Sequence, residues 1–190
     1  MGFLAGGSLQ ILCPPRGGAC FGSHGLSAKA KLTLGWVAFI VAADQVTKLC
    51  VDRWMPLHHS IPVIDGLFNL TYIRNTGAAF GIFAGSAAAF RLPFLIIFSL
   101  VAIGFVVTLL RRLPDNQTGL ASALSFIIGG AVGNLIDRIA YGEVIDFLDL
   151  YWGPYHWPAF NLADSFITIG VLIIVVYLVK ARGEDPFAAS

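Results

Sequence analysis

Four long apolar runs, at residues 32–51, 92–110, 120–136 and 163–179, are separated by more polar joints along the chain. Each approaches the roughly 20 residues that a helix needs to cross a hydrocarbon core, so the pattern predicts four membrane-spanning helices. The third run is the shortest and contains "GGAVG", in which Gly129 and Gly133 have the small-xxx-small spacing that lets helices approach closely. Between the first two runs the pattern changes. "SIPVIDGLFNLTYI" reads as two strands, 61–64 and 67–73, joined at Asp65-Gly66, a dipeptide suited to a tight hairpin turn. A small β platform is expected there, on the outer face. Ahead of the fourth run, "YWGPYHWP" reads as a surface loop whose Tyr151, Trp152, Tyr155 and Trp157 belong at headgroup level. Residues 1–28 lack the basic start and continuous apolar centre of a signal peptide. They are expected to be a disordered extension before a membrane domain over 29–182, with 183–190 a polar tail.

Composition turns four candidate spans into an integral membrane protein. Of 190 residues, 57% are hydrophobic and 12% charged, with a mean hydropathy of +0.78; soluble domains hold about 45–50% apolar and about 25% charged residues. A net charge of +1 supplies no basic field for nucleic acid, which is dropped as a partner. Lys29, Lys31, Arg111, Arg112, Lys180 and Arg182 flank one membrane face, against Arg53, Arg74, Arg91 and Arg138 on the other. The bias makes the first face cytoplasmic, with both termini inside. Cys13, Cys20 and Cys50 have no metal-type spacing, and His58, His59 and His156 stand in no HExxH pattern, so no metal site is expected.

With that topology the polar residues of four separate stretches gather at the outer face. Asp44 and Lys48 are spaced i,i+4, acid before base. They read either as a plain intrahelical pair with Lys48 snorkelling to the interface or as a brace for a site. Asn134 and Arg138 share the same spacing, and Asp137 is placed to neutralise Arg138 locally, which favours a structural role for it. Asp52, Asp65, Glu143 and Asp149 read as solvated loop charges. Asp146 and Asp164 are the pair suited to chemistry, since a surface loop of under 20 residues lets the chain bring them together. Two carboxylates held close in a poorly solvated place share a proton, giving a general acid and a general base at once. An N-cap role for Asp164 is the bland alternative, and it does not exclude catalysis.

"DQVTK" (44–48), "RNTGAAFG" (74–81), "GGAVGNLIDR" (129–138), "VIDF" (144–147) and "FNLADS" (160–165) occur in that order. In these motifs the chain, over about residues 30 to 180, resembles bacterial lipoprotein signal peptidase, the signal peptidase II family. The resemblance implies an all-α membrane protein, four transmembrane helices with a small extracytoplasmic β-cradle at the hairpin. It implies an aspartyl endopeptidase of the inner membrane. Its partners would be diacylglyceryl-modified prolipoproteins and membrane lipid, with cleavage just before the lipidated cysteine and no cofactor. By position, Asp146 and Asp164 match the catalytic pair. Asn75, Gly77, Gly130, Asn134, Arg138, Asn161 and Ala163 match positions that line or support the substrate site, and Asp44 and Lys48 a polar pair nearby. A monomer is expected. The competing class is a small proton-coupled carrier or channel subunit, because intramembrane charges also mark ion pathways. A carrier wants its charges near the bilayer midplane, whereas these cluster at one end.

Overall fold

The structure, a computed structural model, describes residues 26–77 and 88–181. Most of the expected N-terminal extension, Cys13, Cys20, Ala78–Gly81 of the second motif, and the tail from Arg182 lie outside the described residues. Four helices, α1 (Ala28–Trp54), α2 (Ala88–Arg112), α3 (Thr118–Tyr141) and α4 (Leu162–Ala181), are each long and apolar enough to span a membrane. All four outrun the apolar stretches that predict them, α1 and α3 by the most. The apolar run of α3 stops at residue 136 because the helix turns Asp137 inward there, while the backbone continues to the left-handed cap at Gly142. Ser27 caps α1 by accepting from the Ala30 amide at 3.2 Å.

α3 is the central helix and packs against the other three. Two of its glycines set how closely. A Cβ on Gly130 would stand 2.4 Å from the Ala163 carbonyl oxygen of α4, and one on Gly133 would stand 2.6 Å from the Asp44 carboxylate of α1. Gly129 packs against Ile40 of α1, so the expected small-residue spacing does serve helix contact.

The platform is larger than expected. β1 (Ser60–Ile64) and β2 (Phe68–Asn75) form the predicted hairpin, with Gly66 at φ +79° in its turn. They continue into β3 (Val144–Trp152) and β4 (Tyr155–His156), giving one antiparallel order β1-β2-β3-β4. Residues 144–156 therefore form a hairpin turning at Gly153 (φ +57°), not the loop expected from sequence. Val144 to Phe147 are all buried, so no alternation of polar and apolar residues betrays the strand. β3 is tied on both sides: β2 pairs along one, and on the other Phe147 and Leu148 donate to the Phe160 carbonyl at 2.9 and 2.8 Å. That second tie delivers the chain to the start of α4. Val51 and Met55 of α1 pack with Tyr72, Ile145 and Phe147, seating the sheet on the helices.

Candidate active site

Asn161 stands just before α4 and organises its first turn. Its side-chain oxygen accepts from the Asp164 amide at 3.0 Å, while the Asp164 carboxylate accepts back from the Asn161 amide at 3.3 Å. This reciprocal exchange is a capping box. The cap is thus Asn161, and Asp164 is its partner within the helix, which corrects the N-cap reading of Asp164. The Asn161 side-chain amide also donates to Asp146 at 2.8 Å, to Asn134 at 3.1 Å and to the Ile145 carbonyl at 3.2 Å. One asparagine therefore binds both acids, one from β3 and one from α4.

The remaining carboxylate oxygens have their own amides. Asn75, at the end of β2, donates to Asp146 at 2.9 Å, and Asn134 of α3 donates to Asp164 at 2.7 Å. Burial is the first cause that pushes the Asp146 carboxyl up to about 7, with the neighbouring Asp164 carboxylate second; the amides of Asn75 and Asn161 and the charge of Lys48 oppose it. Gly77 donates its amide to the Asn75 side-chain oxygen at 2.9 Å, which fixes which end of that amide faces Asp146. Arg138 reaches the Gly77 and Asn134 carbonyls only at 3.5 Å, leaving its charge facing both acids.

Beneath the acids lies a buried ion centre. Lys48 meets Asp44 at 2.8 Å and Asp137 at 2.9 Å and donates to Asn134 at 2.9 Å, with all three charged side chains at most 2% exposed. Lys48 does not snorkel, and Asp137 makes its ion pair with Lys48, acting on Arg138 only as a nearby charge. An ammonium only donates, so it takes the Asn134 oxygen and turns the Asn134 NH₂ toward Asp164. Asp44 also accepts from the Ala163 amide at 2.9 Å, another orphan donor of α4's first turn. Gln45, which sequence reasoning passed over, donates to Asp137 at 2.8 Å and to the Gly133 carbonyl at 3.2 Å. Its signal was a third polar residue beside Asp44 within an apolar run.

Three of the four charges expected to be solvated are engaged. Asp149 is 8% exposed, accepting from Asn69 at 2.9 Å and pairing with His156 at 2.9 Å. Asp52 and Glu143 both meet Arg74; Asp65 alone is exposed in the hairpin turn. Trp152 and Tyr155 are 83% and 80% exposed at the tip of the β3–β4 hairpin.

All the expected site residues thus converge. Asp146, Asp164, Asn75, Asn134 and Arg138 line one cavity of about 850 Å³, whose remaining wall is largely apolar and includes Ile73, Leu150, Phe160 and Ile167. Asn161 stands behind the acids. Asp44, Lys48, Gly130 and Ala163 support from below, and Gly77 at the side. Four lipid-length helices, with a largely apolar cavity between α3, α4 and the sheet that carries acids, amides and a guanidinium, define an integral membrane enzyme as the class.

Residues 36–180 match the family model described as Signal peptidase (SPase) II. The chain belongs to the signal peptidase II family and is a membrane protease. Among its relatives, the lipoprotein signal peptidase of Geobacter sulfurreducens is 55% identical over 137 residues, 72% of this chain and 84% of the relative. That of Nitratidesulfovibrio vulgaris is 42% identical over 160 residues, 84% of this chain and 96% of the relative. A solved bacterial membrane enzyme superposes with a TM-score of 0.73 at 35% identity, covering 80% of this chain and 90% of that one. Family membership removes the carrier reading that buried charges alone left open.

Proposed function

We propose that this protein removes signal peptides from diacylglyceryl-modified prolipoproteins, cutting before the lipidated cysteine, with Asp146 and Asp164 as its catalytic acids. The observation that carries the reading is the meeting of two carboxylates from separate elements on Asn161, at the polar end of an apolar cavity. The two carboxyls share one proton, placed in this reading on Asp146, whose proton affinity burial and the neighbouring carboxylate raise, so that Asp164 serves as the base. Asp164 takes a proton from a water whose oxygen attacks the scissile carbonyl carbon, while Asp146 gives its proton to the carbonyl oxygen. When the resulting diol collapses, the C–N bond breaks, the leaving nitrogen takes the proton that Asp164 gained from water, and a diol hydroxyl returns a proton to Asp146, so the pair ends with the one proton it began with. Arg138 and the amide of Asn134 hold the peptide backbone, Asn75 holds Asp146, and the apolar wall takes acyl chains.

The relatives' name, lipoprotein signal peptidase, supports the substrate class. The enzyme works as a monomer in the bacterial inner membrane, with both termini cytoplasmic and the acids toward the outer face. The test is cleavage of a diacylglyceryl-modified prolipoprotein by the purified protein in detergent, beside Asp146→Asn, Asp164→Asn and a substrate without the lipid. Cleavage lost in both folded variants and without the lipid is the expected result. Cleavage that survives either substitution removes the acid pair.

A further inference from the structure

Arg74 is the residue before Asn75 on β2, and its guanidinium joins three parts of the fold. Nε donates to the Tyr72 hydroxyl at 2.7 Å, one NH₂ group to Asp52 of α1 at 2.6 Å, and the other to Glu143, in the joint between α3 and β3, at 2.9 Å. The Tyr141 ring lies 5.8 Å from the guanidinium carbon, and the Tyr72 hydroxyl also donates to Asp52. The hydrogen bonds that Arg74 donates to Glu143 and Tyr72 hold its proton affinity above the usual range. A planar fork with five donors suits such bridging, and a single ammonium does not.

The position of this clamp gives it meaning. Between the pairs Leu70↔Leu148 and Ile73↔Asp146, two residues of β2 oppose one of β3. That is a β-bulge, which breaks the regular ladder and re-aims the side chains beyond it. Past the bulge, side chains alternate across the strand, so Arg74 lies on one face, where its Nε reaches the Tyr72 hydroxyl, while Ile73 and Asn75 share the other, the face of Asp146. Arg74 therefore pins the reverse side of the segment whose front carries Asn75.

We propose that Arg74 is a positioning residue: by tying the end of β2 to α1 and to the α3–β3 joint, it holds the Asn75 amide on the Asp146 carboxylate. The inference rests on the assignment of Asp146 to the acid pair. The charged groups facing Asp146 are Asp164 from α4, Lys48 from α1 and Arg138 from α3, with Asn75 and Asn161 as hydrogen-bond donors. Arg74 acts through Asn75, since Asp52 and Glu143 already offset its charge. Losing the Asn75 hydrogen bond removes stabilisation of the ionised carboxylate, so the alkaline limb of the pH profile moves upward.

The test measures kcat, KM and the pH profile of prolipoprotein cleavage for Arg74→Met, Arg74→Lys, Asn75→Ala, the Arg74→Met/Asn75→Ala double variant and Glu143→Gln, with Asp146→Asn as control. Arg74→Met is expected to lower kcat by about ten- to a hundredfold, to leave KM within about twofold, and to raise the alkaline limb as Asn75→Ala does. Arg74→Lys does not restore it. The double variant is no worse than Asn75→Ala alone, the non-additivity of residues acting in one chain. Glu143→Gln, which keeps Arg74, gives a smaller shift in the same direction and stands in should Arg74→Met not fold. Additive losses in the double variant, or full rescue by Lys, overturn the clamp while an inactive Asp146→Asn leaves the acid pair standing. An active Asp146→Asn overturns both.

Discussion

At the scale of residues the site is governed by which groups are compelled to face each acid. Lys48 can only donate, so Asn134 presents its oxygen downward and its NH₂ to Asp164. Gly77 donates to the Asn75 oxygen, so Asn75 presents its NH₂ to Asp146. Neither amide can flip without losing a bond, and the acids are held by donors that are themselves oriented. On the proposed reading, the pair works with one shared proton. Burial and the Asp164 carboxylate push the Asp146 carboxyl up to about 7, so cleavage should fall as pH rises through about 7, where the shared proton is lost. It should fall again in acid, where the second carboxylate gains a proton. The dependence of kcat/KM on pH is expected to be bell-shaped, and a flat profile from mildly acid to mildly alkaline pH would contradict proton sharing.

At the scale of elements, the contact between α3 and α4 decides whether Asp164 reaches Asn134. Gly130 lies against the Ala163 backbone, one residue before Asp164, and no side chain there can rotate away from a carbonyl. Gly130→Ala should force the helices apart at a cost of about 1–3 kcal/mol and lower activity with stability. Gly104 in α2 has open space where its Cβ would go. There alanine should be neutral or stabilise by about 0.5–1 kcal/mol, from the smaller backbone entropy lost on folding. In detergent the thermal midpoint of the Gly130 variant is expected to fall while that of the Gly104 variant holds or rises; equal shifts would show that the close approach does not matter. The sheet follows the same logic of contact. β3 is a strand because β2 and Phe160 bond to its two sides, whatever its side-chain pattern suggests.

At the scale of the whole molecule, the two ends of the bundle differ in kind. Lys29 pairs with Asp115 at 3.0 Å, and Tyr177 bonds to Gln117 at 3.4 Å, so the start of α1, the α2–α3 joint and the end of α4 share one end, opposite the sheet. With native cysteines replaced, a membrane-impermeant thiol reagent applied outside spheroplasts should label Asp65→Cys but not Asp115→Cys; the reverse would invert the proposed orientation. The end to which each segment belongs was legible in the sequence, because a bilayer admits only continuous apolar helices and makes every polar interruption costly enough to notice. Asp44, Lys48, Asn134, Asp146, Asn161 and Asp164 stood out for that reason, and Asp65-Gly66 marked its turn by local chemistry. Partnership was not legible. That Asp137 answers Lys48, that Asp149 is buried on Asn69 and His156, that Arg74 ties Asp52 to Glu143, and that 144–152 is a strand are matters of packing between segments far apart in the chain. Hydropathy, spacing and turn chemistry are local quantities and determined the four spans, the hairpin and the candidate acids. The burial of a charge and its choice of partner depend on what the rest of the chain brings beside it, and only the tertiary structure decides that.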